Sequence, residues 1–211
     1  MLCLNQRLIV RNQFKAVEKR RVVDLQATGI IETEAKAVFG VDEFSLKFAF
    51  QTNGVRLDQE WCNLFKRLKA TVGISCDGPA FLHDRYRVDW AGRGSHRDVV
   101  KAFRMVRENG LGLHVLATVT SETLDHPDEL FHFFKDQGVE HVGLNFVDRT
   151  GSNEQVLLDD PQAYERAYQF MARLFDLYLE DGRLRGEKCM QIRELSSAMS
   201  ALISYGGAVA G

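Results

Sequence analysis

Residues 71–79 read Thr71-Val72-Gly73-Ile74-Ser75-Cys76-Asp77-Gly78-Pro79. The apolar alternation through Ser75 predicts a short strand, and Asp77-Gly78-Pro79 is a turn signal that ends it. Such a strand carries a hydroxyl, a thiol and a carboxylate at its carboxyl end. The same grammar recurs on both sides. Leu46 to Gln51 predicts a strand stopped by Thr52-Asn53-Gly54, Leu111 to Thr120 a third, rich in Leu, Val and Thr, and Val139 to Val147 a fourth. Amphipathic stretches lie between them. One helix is expected from an Asp58 N-cap to about Lys69, with Trp61, Leu64, Phe65 and Leu68 as its apolar positions. A second follows a polar loop and a Ser95 cap, carries Val99, Ala102, Phe103 and Val106, and closes on Asn109-Gly110. A third runs from His126 to Gln137, stopped by Gly138. A long helix from Pro161 to about Asp181 follows, with proline in its first turn, and Met190 to Tyr205 reads as helical.

Four strands separated by helices are the pattern of repeated βα units: an α/β fold with a parallel sheet and right-handed crossovers. All strand carboxyl ends then face one way, which brings Gln51, Asn53, Ser75, Asp77, Thr118 and Asn145 to a common face. The chain divides into residues 1–45, where only a helix from Gln13 to Leu25 suggests itself, the βα region 46–150, and a helical segment 151–211.

Over 211 residues the formal net charge is −2, with 45% hydrophobic and 27% charged residues. That balance lacks the basic excess needed to neutralise phosphates, so nucleic acid is not an expected partner; the cluster Lys15 to Arg21 reads as a solvated helix face. No run approaches the ~20 apolar residues of a membrane span, and the first residues do not form a secretory signal, so a cytoplasmic protein with free thiols is expected. Of Cys3, Cys62, Cys76 and Cys189, the closest two stand 14 positions apart. A self-contained zinc or iron–sulfur motif and a disulfide framework are both excluded by that spacing.

Taken alone, the stretch reads first as a structural turn with surface salt bridges, and next as a ligand site in which Ser75 and the planar donors of Arg87 hold a carboxylate or a ribose-bearing ligand. Cys76 fits either a small buried hydrophobe or a reactive thiol. Gly92-Arg93-Gly94-Ser95 precedes a helix, as phosphate-cradling loops do, without the rest of a dinucleotide fingerprint. The histidines are scattered, with His126 and His132 on different helix faces, and no metal site is expected. No Gly-x-Ser-x-Gly elbow occurs, which leaves a hydrolase using Ser75 or Cys76 as a minor alternative.

Gln51-Thr52-Asn53-Gly54, the 72–79 segment, His83-Asp84-Arg85-Tyr86-Arg87 and Gly92-Arg93-Gly94-Ser95 occur in the order and spacing of one family. Across residues 46–150 the chain resembles the radical SAM enzymes of SPASM type that mature sulfatases and ribosomal peptides. Leu113 to Thr120, His126-Pro127-Asp128-Glu129-Leu130 and Gly143-Leu144-Asn145-Phe146 are most similar to the subgroup that cross-links glycine-rich-repeat precursor peptides. The resemblance implies a partial parallel (β/α) barrel holding a 4Fe-4S cluster on three cysteines. S-adenosylmethionine binds the cluster, and the resulting 5′-deoxyadenosyl radical abstracts hydrogen from a precursor peptide. By position, Ser75 and Arg87 match S-adenosylmethionine contacts, Asp148 falls where backbone meets the adenosyl part, and Gln51, Asn53, Asp77 and Asn145 face the substrate.

The departures bear equally on function. No C-x-x-x-C-x-x-C loop, no Gly-Gly-Glu-Pro segment and no cysteine-rich carboxyl-terminal extension occurs. The expectation is a barrel remnant of about four βα units without cluster ligands of its own. Its partner would be a precursor peptide or, as a non-catalytic half of a split enzyme, a complementary subunit; neither nucleic acid nor membrane is expected. The sheet edge before Leu46 must then be covered by residues 1–45 or by a partner.

Overall fold

The computed structural model describes residues 9–13, 47–146, 161–186 and 189–200. They form one six-stranded parallel sheet whose spatial order is the chain order: β1 (Ile9–Gln13), β2 (Lys47–Thr52), β3 (Thr71–Ser75), β4 (Leu113–Val119), β5 (His141–Phe146) and β6 (Gln191–Ile192). The helices are α1 (Gln59–Arg67), α2 (Ala80–Tyr86), α3 (His96–Glu108), α4 (Pro127–Asp136) and α5 (Pro161–Arg185), with residues 193–200 helical at the end. The α/β class with a parallel sheet is as expected.

Period-2 burial fixes the register. In β4, Leu113, Val115, Ala117 and Val119 are buried, while His114, Leu116 and Thr118 are only half-buried. The buried set packs into one core with Val72 and Ile74 of β3, Phe103 and Val106 of α3, and Leu130 and Phe134 of α4. A one-residue slip would turn that entire set to the other face. Each fully buried Leu, Val or Phe stabilises by about 1.5–3 kcal/mol, so the register is strongly held.

Local signals act where they stand. Asp58 Oδ1 accepts from the Trp61 amide at 3.1 Å and starts α1. Gly110 and Gly138 follow α3 and α4 at φ +66° and +69°, the left-handed conformation that lets a helix end in the space of one residue.

Several expectations are corrected. The four strands expected over 46–150 are β2 to β5, and the sheet has two more outside that region: β1 pairs parallel with β2 from Ile9↔Lys47 to Gln13↔Gln51 and covers that edge, and β6 lies beyond β5. Gln13 therefore ends a strand instead of starting a helix; the rest of the expected helix to Leu25 lies outside the described residues. Ala80–Tyr86 is helical where a loop was expected, its first turn anchored by the Pro79 carbonyl accepting from Leu82 and His83. Met190 to Tyr205 is not helical throughout. Gln191–Ile192 pairs with His141 and Val142, and helix begins only at 193. Two residues are too few to show a β period in sequence.

Candidate functional site

The unburied alternates of the strands make a concave face, and its carboxyl-terminal rim is built from Gln51, Ser75, Asp77 and Thr118. Gln51 Nε2 donates to Ser75 Oγ at 3.0 Å. The intervening Gly73 permits this, since a Cβ there would lie 2.2 Å from Gln51 Oε1. Ser75 Oγ thus accepts from Gln51 and keeps its own proton for another acceptor.

Next to it, Asp77 is buried and Arg87 grips it with a fork. Nε donates to Oδ2 at 2.5 Å and Nη2 to Oδ1 at 2.9 Å. Oδ1 also accepts the Thr118 amide at 2.8 Å, and Arg87 Nη2 reaches Thr118 Oγ1 at 3.4 Å. One carboxylate therefore ties the ends of β3 and β4 to the end of α2. Charge-assisted bidentate pairs of this kind are the stronger class of hydrogen bond. Arg87 Nη1 has no hydrogen-bond partner among the described residues.

A second chain of bonds runs behind the rim. His83, fully buried, accepts the Asp77 amide on Nδ1 at 3.2 Å and meets Ser95 Oγ with Nε2 at 3.0 Å. Ser95 Oγ in turn donates to the Arg87 carbonyl at 2.9 Å. The directions are self-consistent: Nδ1 accepts, so Nε2 carries the proton and gives it to Ser95, whose own proton goes to Arg87. Burial pushes the His83 pKa down to about 4, which keeps this neutral tautomer in place.

Ser95 stands at the start of α3 but makes no side-chain cap, a correction to its expected role. Its hydroxyl serves His83 and Arg87. The helix start is capped instead from α2, where Asp84 Oδ1 accepts the His96 amide at 2.8 Å. Gly94 is needed for that approach, because a Cβ on it would sit 2.1 Å from the Asp84 Cγ. With a carboxylate already on this amide, the Gly92–Ser95 loop does not present the open phosphate cradle that its glycines suggested. Its Asp89 folds the loop on itself, accepting from the Ala91 and Arg93 amides at 2.8 and 3.0 Å.

Rim and loop enclose a cavity of about 640 Å³ lined by Asn53, Ser75, His83, Arg87, Trp90 and Ser95 among others. Asn53 Oδ1 is occupied by a local turn, accepting the Val55 amide at 3.3 Å. Asn145 of β5 is the register partner of Thr118, and its Oδ1 accepts from Arg193 Nη2 at 3.3 Å. Asp148 is outside the described residues. The structure brings Ser75, Asp77 and Arg87 together at one end of the sheet. The part played by His83, Asp84 and Ser95 carried no local signal, since their partners lie about a dozen positions apart.

The described cysteines do not fit an iron–sulfur cluster. Cys62 and Cys76 are fully buried, and burial raises both thiols, that of Cys76 to about 12. Cys76 Sγ is engaged with the Gly78 carbonyl at 3.5 Å, and Cys189 Sγ accepts from Gln191 at 3.0 Å, next to β6. No cysteine belongs to a group of three or more metal-ligating side chains among the described residues. Cys76 is the small buried hydrophobe of its two readings.

No family model matches the chain. Over 141 residues it is 30% identical to a cysteine-type anaerobic sulfatase-maturating enzyme of Clostridium novyi, covering 64% of this chain and 36% of that enzyme. Over 145 residues it is 26% identical to the serine-type enzyme of Bacteroides thetaiotaomicron, covering 62% and 35%. The chain is homologous to the anaerobic sulfatase-maturating enzymes. An uncharacterized Synechocystis protein is 41% identical over 129 residues, 61% of this chain and 32% of its own length. The chain thus spans about a third of the length of these relatives. In fold it matches the maturase structure described as native anSMEcpe with bound AdoMet, at a TM-score of 0.66 and 23% identity, over 83% of this chain and 48% of that one. A second structure of that maturase, with AdoMet and the Cp18Cys peptide, matches at 0.64 and 24% over 81% and 46%.

Proposed function

We propose that the rim cavity binds S-adenosylmethionine, in a barrel segment related to the sulfatase maturases whose described cysteines supply no cluster. The cavity itself carries this reading. Its volume of about 640 Å³ lies within the ~300–1,000 Å³ usual for cofactor sites, and it opens beside Ser75 and Arg87. Ser75 offers a hydroxyl proton and Arg87 two Nη1 protons, a set suited to the carboxylate or ribose hydroxyls of that molecule. The His83–Ser95 pair behind them holds the Arg87 backbone, so the donors are fixed before a ligand arrives. When bound in a complete maturase, S-adenosylmethionine supplies a carbon radical; this chain's described residues orient the molecule without the metal that would cleave it.

Calorimetric titration of the full chain with S-adenosylmethionine tests the reading. Saturable one-site binding is expected, weakened about 3–10-fold in Ser75→Ala, the worth of one neutral hydrogen bond. A cooperatively folded chain that shows no saturable binding overturns it. Iron analysis after anaerobic reconstitution is expected to give far less than one cluster per chain.

A peptide is the second partner supported. The related maturase is known with the Cp18Cys peptide bound. Here, Trp90, Val88 and Tyr86 stand exposed near the cavity mouth, where an apolar peptide side chain would find cover. Among the described residues no helix is long and apolar enough to cross a membrane.

A further inference from the structure

At the opposite, amino-terminal end of the concave face, His114 of β4 and His141 of β5 are direct register partners. In a parallel ladder such partners project to the same side, and their rings stand 4.5 Å apart between centroids. Glu140 enters from the residue before β5, its backbone fixed by donating to the Leu113 carbonyl at 2.9 Å. One ligand atom from each of His114, Glu140 and His141 lies within 4.8 Å of the other two. No hydrogen bond occupies the ring nitrogens of either histidine or the Glu140 carboxylate among the described residues. Thr118, at the rim, is four residues further along β4 than His114, about 13 Å at the rise of a strand. The trio is therefore separate from the rim cavity.

A second observation sets the trio apart from a chance meeting of polar side chains. Gly112 has no positive φ that would call for glycine. A Cβ on it would stand 3.2 Å from Glu140 Oε2 and 3.3 Å from His114 Nε2. The missing side chain leaves open the space onto which the carboxylate and the imidazole converge.

From this geometry we infer that His114, His141 and Glu140 form a binding site for a divalent transition-metal ion of the zinc class. Two imidazoles and a carboxylate are a donor set that favours zinc, cobalt or nickel over magnesium or calcium, which prefer all-oxygen shells. Bond lengths of ~2.0–2.2 Å require the three side chains to close by roughly an ångström each. The partial burial of His114 lowers its pKa, so its ring is neutral and able to coordinate near pH 7. A fourth position faces the cleft of about 430 Å³ that both histidines line, leaving room for water or a ligand. The ion would bridge β4 and β5 at the end of the sheet remote from the rim.

Titrating the untagged full chain with Co(II), followed by its visible d–d bands and by displacement with Zn(II), reads the site directly. One equivalent is expected to bind with bands of low-symmetry coordination, and Zn(II) to raise the unfolding temperature. His114→Gln and His141→Gln are each expected to weaken binding at least about 100-fold, more than the 10–100-fold known for groups that only support ligands. Gly112→Ala, which keeps all three donors, should also weaken it, whereas His126→Gln and His132→Gln should not. Circular dichroism of each variant separates lost binding from lost fold. The proposal is overturned if the folded chain binds no stoichiometric Co(II), or if binding survives in both His114→Gln and His141→Gln.

Discussion

The Arg87 guanidinium spans both oxygens of the Asp77 carboxylate, at 2.5 and 2.9 Å, and this pair clamps the rim of the site. Asp77 is 6% exposed, whereas the Arg87 side chain keeps 30% of its surface in solvent. Removing the arginine therefore strands a buried charge. Losing one partner of a buried pair costs about 3–5 kcal/mol, and the exposure of Arg87 moderates that. Arg87→Ala should lower unfolding stability in urea by about 2–3 kcal/mol, and Arg87→Lys by less, since an ammonium cannot make the fork.

Stability should also fall with acid through His83. Its pKa is about 4 in the folded chain because burial disfavours the imidazolium, against ~6.5 when unfolded. Between these values the unfolded state holds the extra proton. The stability is fully present above about pH 6.5 and is lost progressively down to about pH 4, by about 3 kcal/mol. His83→Gln keeps one acceptor and one donor, and should flatten that part of the profile in urea midpoints measured across pH.

Two glycines of one loop should respond differently to alanine. At Gly94 a Cβ would meet Asp84, 2.1 Å from its Cγ, and would displace the cap on the His96 amide. At Gly92 nothing lies within 4 Å, and only the φ of +74° resists. Gly94→Ala should cost about 2–3 kcal/mol, a clash plus a cap, and Gly92→Ala about 1–2 kcal/mol; thermal unfolding of the two variants gives the comparison.

Thiol chemistry should follow burial. With its thiol pKa at about 12 and no exposed surface, Cys76 is shielded twice over. Under native conditions iodoacetamide should modify Cys189 well before Cys62 or Cys76, as peptide mass mapping would read; fast native labelling of Cys76 would contradict the buried placement.

How far sequence carries depends on the range of the interaction. The strand at 71–75, the Asp58 cap, the stop at Gly138 and the helix after Pro161 all rest on contacts within a few residues, so their signals are local. Ser75 is legible as a strand-end residue for the same reason, because the turn signal Asp77-Gly78-Pro79 follows it directly. What sequence could not supply was pairing at a distance. The Asp84 carboxylate takes the capping role assigned to Ser95 because α2 folds against α3, and His83 meets Ser95 for the same reason. His114 and His141 are 27 positions apart in sequence, and only the β4–β5 register makes them neighbours. β1 and β6 were missed because their pairing partner, not their own composition, makes them strands.

The six strands lie side by side in the order in which they occur along the chain. Every strand after β1 thus finds its first neighbour already synthesised when it leaves the ribosome. No strand has to wait for a later one to fill a gap between itself and its predecessor. The sheet can be laid down by accretion, one βα unit at a time, each new strand joining an edge that already exists.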